Sequence, residues 1–377
     1  MRSTGFAIRR VEAELLSVPT LDPFRIATGE VHATRSIAVT VHLEQEGQEA
    51  RGLAEGSCLP PVTREDQPDA LAAVLRAKSY LERTWANLDA FASALDQLLG
   101  TTPVARSGVE VAVLSALASI EGVPLWRFLA PEAGEPPLIE TDITLPILSP
   151  ERMASLAKSW WEVGFRKFKV KVGRDVEHDL RALEAVARVI PLAVFQPDAN
   201  GGLSPSEALR YAKAVHDAGL TISCFEQPCA SLEDVRKVHE QLQVPVIADE
   251  SIKSEDDLDR ILETKAAGGI NLKISKMGSL LRCLAIGRKA RARGLSLMVG
   301  GMVETRLGMS AAAHLSAALG GVEFADLDTA WLLAHDPFEG GYRAEHPEDA
   351  ERPGPRYRVA RDRGLGVVWR SNDRATS

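Results

Sequence analysis

Thr141-Asp142-Ile143-Thr144-Leu145 opens a stretch that runs to Leu327 and alternates short apolar runs with amphipathic helices. The later runs are Lys167 to Val172, Leu192 to Gln196, Ile222 to Phe225, Val244 to Ala248, Gly269 to Ile274, Leu295 to Val299 and Val322 to Leu327. The helices between them carry start and stop signals. Ser204-Pro205-Ser206-Glu207 has the capping-box pattern with Pro at the first helical position, and Gly219 follows the end. Leu180, Leu183, Val186 and Ile190 make a helical stripe. Strands alternating with helices require a parallel sheet, either an open doubly wound sheet or a closed barrel. Eight runs over about 190 residues match one (β/α)8-type barrel. No Gly-x-Gly-x-x-Gly follows the first run, which removes the main sign of an open dinucleotide-binding sheet.

Upstream the texture differs. Residues 6–19 and 36–45 alternate apolar and polar, as strands do. From about 67 to 130 the period is helical, and Val109 to Ile120 reads as a buried helix with Gly122 at its end. Downstream, Glu345 to Pro355 reads as a loop, residues 365–370 as a last strand and Ser371 to Ser377 as a frayed end. The expected division is an α+β segment over 1–135, a barrel over 136–345, and a tail over 346–377 that returns to the first segment.

Composition narrows the function. The 377 residues carry 44 Lys and Arg against 52 Asp and Glu, a net charge of −8. With no basic block, neither nucleic acid nor an anionic membrane is the expected partner. Four cysteines exclude a disulfide scaffold. With no apolar leader and no run of 18 apolar residues, a cytoplasmic globular enzyme is expected.

Active sites of such barrels sit at the C-terminal ends of the strands. There the chain places Lys169 and Lys171, then Asp198, Glu226, Asp249, Lys273 and the pair Asp326 and Asp328. Successive gaps from Lys171 to Lys273 are 27, 28, 23 and 24 residues, and 53 more lead to Asp326. One such acid alone would ordinarily be a helix cap, and one strand lysine a surface residue. A whole set in phase points to one ring. Three converging carboxylates repel unless a cation lies among them, and Mg²⁺ suits that oxygen set. Lys169 and Lys171 share a face of their strand. Lys273 falls across the barrel from Lys171, so a carbon held between the two could lose a proton to one and regain it from the other. A dication nearby should lower both lysine pKa values. Cys224 and Cys229 lack metal spacing and read as core, and His314 reads as a packed helix residue.

These residues resemble the enolase superfamily, in its muconate-lactonizing-enzyme subgroup, over nearly the whole chain. The resemblance implies a (β/α)7β barrel with an α+β capping domain. It implies Lys169, Lys171 and Lys273 as catalytic lysines, and one Mg²⁺ per subunit on Asp198, Glu226 and Asp249. Inversion then passes through an enediolate, the Lys-and-Mg²⁺ chemistry of that superfamily. Asp326-Leu327-Asp328 and Gly300-Gly301-Met302-Val303-Glu304-Thr305 are similar to dipeptide epimerases. There the acidic pair meets the substrate ammonium, with Thr144 a further substrate contact. In the first capping loop, Phe24 to Ala33, Gly29 stands where Ala-Glu epimerases carry an Arg, and Arg25 and Arg64 are the nearby cations that could replace it. Ser115 stands where relatives often have Asp. The expected activity is Mg²⁺-dependent epimerisation of a dipeptide, preferring an apolar or uncharged C-terminal residue, by a homo-oligomer. The rivals are an N-acylamino-acid racemase, an o-succinylbenzoate synthase, a muconate cycloisomerase, or a silent barrel acting as a binding module.

Overall fold

The computed structural model describes residues 4–26 and 29–371. The expected frayed end lies, from residue 372, outside the described residues. Eight parallel strands follow one another in chain order around a barrel: Ile143–Leu145, Lys167–Lys171, Val194–Asp198, Phe225–Glu226, Val246–Ala248, Gly269–Leu272, Ser296–Gly300 and Phe324–Asp326. A helix of eight or more residues covers each of the seven crossovers, and after the eighth strand the described residues have no helix but the short 3-10 turn Thr329–Trp331. This is the expected (β/α)7β barrel. Its seam is closed by Asp142 N donating to Ala325 O (3.0 Å) and Leu327 N to Thr141 Oγ1 (2.8 Å). The fourth run differs from expectation by splitting: Thr221–Ile222 pairs with the third strand, and Phe225–Glu226 resumes after a break.

Local chemistry sets the helix starts. Ser204 N donates to Glu207 Oε2 (2.8 Å) while Glu207 N donates back to Ser204 Oγ, the capping box expected from the sequence. Inside the barrel, Cys224, Ile247 and Met298 pack together against Phe324. Cys229 is buried as well, and both cysteines are core residues.

The cap is built on an antiparallel sheet ordered Gln48–Ser57, Ser36–Gln45, Phe6–Leu16, Thr84–Trp85. Glu46 and Gly47, at φ of 52° and 77°, turn the central hairpin, and two consecutive left-handed residues match the twist of the strands. Helix Pro103–Ile120 lies on this sheet. By length and composition it could cross a membrane, yet it is buried within the protein along most of its length. A Cβ on Gly52 would stand 1.8 Å from Ala112 O, so the helix comes this close only where the strand has no side chain.

The segment Phe24–Ala33, expected as a loop, falls largely within a hairpin of Pro19–Ile26 and Gly29–Ala33. Its turn residues 27 and 28 lie outside the described residues. Ile147 N donates to Arg25 O (3.2 Å) and Leu21 N to Leu332 O (2.8 Å), which seats the hairpin over the C-terminal mouth of the barrel. Farther on, Val367–Trp369 pairs with Phe338–Gly340. Leu365 N meets Ser115 Oγ (3.1 Å), so Ser115 fastens the tail to the cap helix.

Candidate active site

Register puts the expected ring at one height. Asp198 pairs with Lys171 on one side and with Glu226 on the other, and Gln196 pairs with Lys169. Asp249 and Lys273 each come one residue past their strand. Asp326 closes the eighth strand opposite Gly300. All of these side chains are buried.

The ammonium groups knit the acids together. Lys171 Nζ donates to Asp198 Oδ2 (2.6 Å) and Lys273 Nζ to Asp249 Oδ2 (2.8 Å). Lys169 Nζ lies 3.0 Å from Asp198, 2.7 Å from Glu226 and 2.7 Å from Asp326. Burial alone would raise the Asp198 carboxyl, but Lys169 and Lys171 outweigh it and hold it well below its ordinary range. Asp249 is likewise held low against burial, by Lys273 and Lys276. Glu226 is pushed up to about 7 by burial and by the charge of Asp198.

The facing acids hold two of these lysines charged. Burial works against the charge of Lys273, yet Asp249 and Glu226 outweigh it and raise its pKa; Lys169 is raised well above its ordinary value in the same way. The facing carboxylates set that sign. A lowered lysine pKa requires another cation to take up their charge.

Four residues outside the expected ring support it. Lys276 Nζ donates to Asp249 O and Oδ1 (both 2.6 Å) and to Asn271 O (3.1 Å). Asn271 Nδ2 donates to Glu226 Oε1 (2.8 Å). Gln227 Oε1 accepts from Asp249 N (2.8 Å) and fixes the turn after the fifth strand. Asn200 Oδ1 accepts a hydrogen bond from Lys171 Nζ (3.4 Å), and its Nδ2 donates to Glu250 Oε1 (3.0 Å). Lys276, within the otherwise uncharged Ile274-Ser275-Lys276-Met277, was the one with a visible signal. The other three are amides whose partners lie on other strands.

Phe24, Leu59, Val62 and Met302 roof a cavity whose floor and walls include Thr144, Lys169, Lys171, Lys273, Asp326 and Asp328. A larger cavity beside Phe6, Leu117 and Phe128 contains none of the ring. Strand alternation turns Phe24 inward and Arg25 outward. Arg25 pairs with Glu30 on the exposed face, Arg64 is exposed, and neither lines the cavity. Gly29 also lies outside the lining, and a Cβ there would meet nothing within 4 Å. The structure therefore brings Thr144, Asp326 and Asp328 to the lysines and leaves Arg25 and Gly29 apart.

Two groups have the chemistry to hold a cation. Asp198, Glu226 and Asp249 present only carboxylate oxygens from adjacent strands, and ammonium groups touch all three, so the set both suits and demands hard positive charge. Asp142, Asp326 and Asp328 bring one oxygen each within 4.8 Å of one another.

The mouth of the barrel thus carries lysines on opposite sides of an acid set. Residues 152–373 match the family model described as enolase C-terminal domain-like, and the chain belongs to that family. It is 36% identical over 351 residues to an L-Ala-D/L-amino acid epimerase of Populus trichocarpa, covering 91% of this chain and 82% of that one. It is also 36% identical to an aromatic dipeptide epimerase of Herpetosiphon aurantiacus, covering 89% and 93%. Among solved structures, a dipeptide epimerase from Cytophaga hutchinsonii complexed with Mg and D-Ala-L-Val superposes with a TM-score of 0.89 at 25% identity, covering 97% of each chain. The kinship is with isomerases.

Proposed function

We propose that this chain is a dipeptide epimerase that inverts the α-carbon of the C-terminal residue. The observation that carries the reading is the placement of Lys171 and Lys273. Lys171 ends strand two of the barrel, Lys273 directly follows strand six, and both line one cavity, into which Asp326 and Asp328 also open. A zwitterionic dipeptide suits that cavity, with its ammonium toward the acidic pair and its carboxylate toward the lysine-bound acids. The α-carbon then lies between the two lysines. One Nζ removes the α-proton and the other returns a proton to the opposite face.

Asp198 and Asp249 orient these two Nζ groups, and Lys169 acts as a fixed positive charge beside the substrate carboxylate. Asp198, Glu226 and Asp249 would hold one Mg²⁺, which when bound supplies positive charge that stabilises the carboxylate as the α-proton leaves. Phe24, Leu59, Val62 and Met302 offer an apolar surface to the side chain, which favours an apolar or uncharged C-terminal residue. In this reading the barrel, 136–345, does the chemistry. The cap, 1–135, and the returning tail, 346–377, shape the cover over it.

Support comes from the relatives, named as dipeptide epimerases, one of them for aromatic dipeptides. The test is incubation with L-Ala-L-Phe and Mg²⁺ in D2O, followed by mass and chiral analysis. One deuterium at the phenylalanine α-carbon and formation of L-Ala-D-Phe are expected. Exchange confined to N-acylated amino acids would move the reading to a racemase of those compounds. No exchange with any of them would leave a silent barrel.

A further inference from the structure

Asp142 has no part in the ring and is not itself in the cavity lining; it lies directly beneath Thr144, Asp326 and Asp328, which are. It stands two residues before Thr144, on the same face of the first strand and one layer deeper. Its exposure is 0%. Among the described residues neither of its carboxylate oxygens has a hydrogen-bond partner, and Asp328 Oδ1 has none either. A buried carboxylate left this way is costly, so the arrangement calls for a donor. Burial, followed by the charges of Asp326 and Asp328, raises the Asp142 carboxyl well above its ordinary range. Among the described residues, Lys169 touches Asp326, and no cationic side chain touches Asp142 or Asp328.

The spacing indicates what kind of donor fits. Three oxygens no more than 4.8 Å apart surround a point about 2.8 Å or less from each, the length of a charge-assisted N–H···O bond. A primary ammonium has three N–H groups to place there. We propose that Asp142 is the third acceptor of the ammonium subsite, so that the site reads a primary ammonium through all three of its protons. The proposal rests on the dipeptide reading above and adds a rule of selection to it. A two-acceptor site accommodates an N-methylated or prolyl amino terminus, which still has two N–H groups. A three-acceptor site loses a bond at the first methyl group.

The experiment compares L-Ala-L-Phe with its N-methyl and N,N-dimethyl forms in the Mg²⁺-loaded enzyme. Calorimetry gives Kd, and turnover is followed on the same samples. For the wild-type enzyme the first methyl should weaken binding at least about tenfold, the worth of one hydrogen bond between charged groups. In Asp142→Val, which has no acceptor, the free dipeptide should bind more weakly while the N-methyl penalty shrinks toward unity. A first methyl without effect and a second with a large one in the wild type would overturn the proposal, and that comparison needs no folded variant. An unchanged penalty in Asp142→Val would overturn it too, leaving water as the donor to Asp142. If the wild type binds the dipeptide without inverting it, the epimerase reading fails while the Kd ratios still decide the role of Asp142. If it binds no dipeptide, both fall.

Discussion

Lys169 Nζ lies 2.7 Å from Asp326 Oδ2, joining the second barrel strand to the eighth across the seam, between residues 157 apart in the chain. The same ammonium touches Asp198 and Glu226, so one buried charge serves acids from three strands. Lys169→Met should leave those acids without their common partner. Removing one member of a buried ionic set costs about 3–5 kcal/mol, and lost electrostatic stabilisation of the reacting carboxylate should lower kcat at least about 100-fold. Denaturant titration and steady-state kinetics on the same sample measure both. Normal turnover would show that Lys169 is only a packed residue.

Lys171 and Lys273 should separate by stereochemistry. Lys273→Ala is expected to stop inversion while leaving deuterium exchange from one epimer, and Lys171→Ala should leave exchange from the other. NMR of each pure epimer in D2O reports this directly. Inversion at the normal rate without Lys273 would refute a two-base mechanism.

Removing divalent metal should abolish turnover, and Mg²⁺ should restore it. Asp249→Asn removes a charge that Lys273 and Lys276 both face, so it should weaken Mg²⁺ binding strongly in a calorimetric titration. Full activity in metal-free buffer would contradict the assignment of Asp198, Glu226 and Asp249.

Specificity should follow the roof of the cavity. Ala-Phe and Ala-Leu should exceed Ala-Glu in kcat/KM, because Phe24, Leu59, Val62 and Met302 bring no cation to the side chain. Arg25→Ala should leave that ratio alone, since Arg25 spends its charge on Glu30 at the surface. A preference for Ala-Glu that disappears in Arg25→Ala or Arg64→Ala would mean that one of these arginines turns inward.

His314 predicts an acid-sensitive term in stability. It is wholly buried, and its Nδ1 accepts from Trp126 N (3.1 Å). Burial lowers its pKa to about 4 from an ordinary 6.5, so the unfolded chain takes up this proton first as pH falls. The stability it contributes is fully present above about pH 6.5 and is lost as pH drops toward 4, at most about 3 kcal/mol. Gln can still accept from Trp126 N but does not titrate. Urea midpoints at pH 7.5 and 4.5 should therefore differ less in His314→Gln than in the wild type.

The amides and Lys276 mark the reach of sequence reading at the site. Gaps of 23 to 28 residues between Lys171, Asp198, Glu226, Asp249 and Lys273 are enough to predict a common ring, because each strand-helix unit of a barrel has nearly the same length. Nothing local says that Asn271 faces Glu226 or that Gln227 holds Asp249, since those contacts cross from strand to strand. Asp142 was in plain view two residues before Thr144. What gives it meaning is Asp326 and Asp328, which come beside it only when the eighth strand meets the first.

By itself the sequence determined the barrel, the capping box at Ser204 and the ring of lysines and acids. These depend on short-range periodicity: two residues per strand repeat, 3.6 per helical turn, and one acid or lysine per unit. Tertiary structure decided that Arg25 faces solvent while Phe24 faces the cavity, that the segment around Gly29 is a hairpin, and that Ser115 holds the tail. It also decided which acids Lys169 and Lys273 face, because a buried charge responds to every charge around it, however distant in the chain. A single turn of a strand or helix sets what a residue can reach, and closure of the barrel sets what is there to be reached.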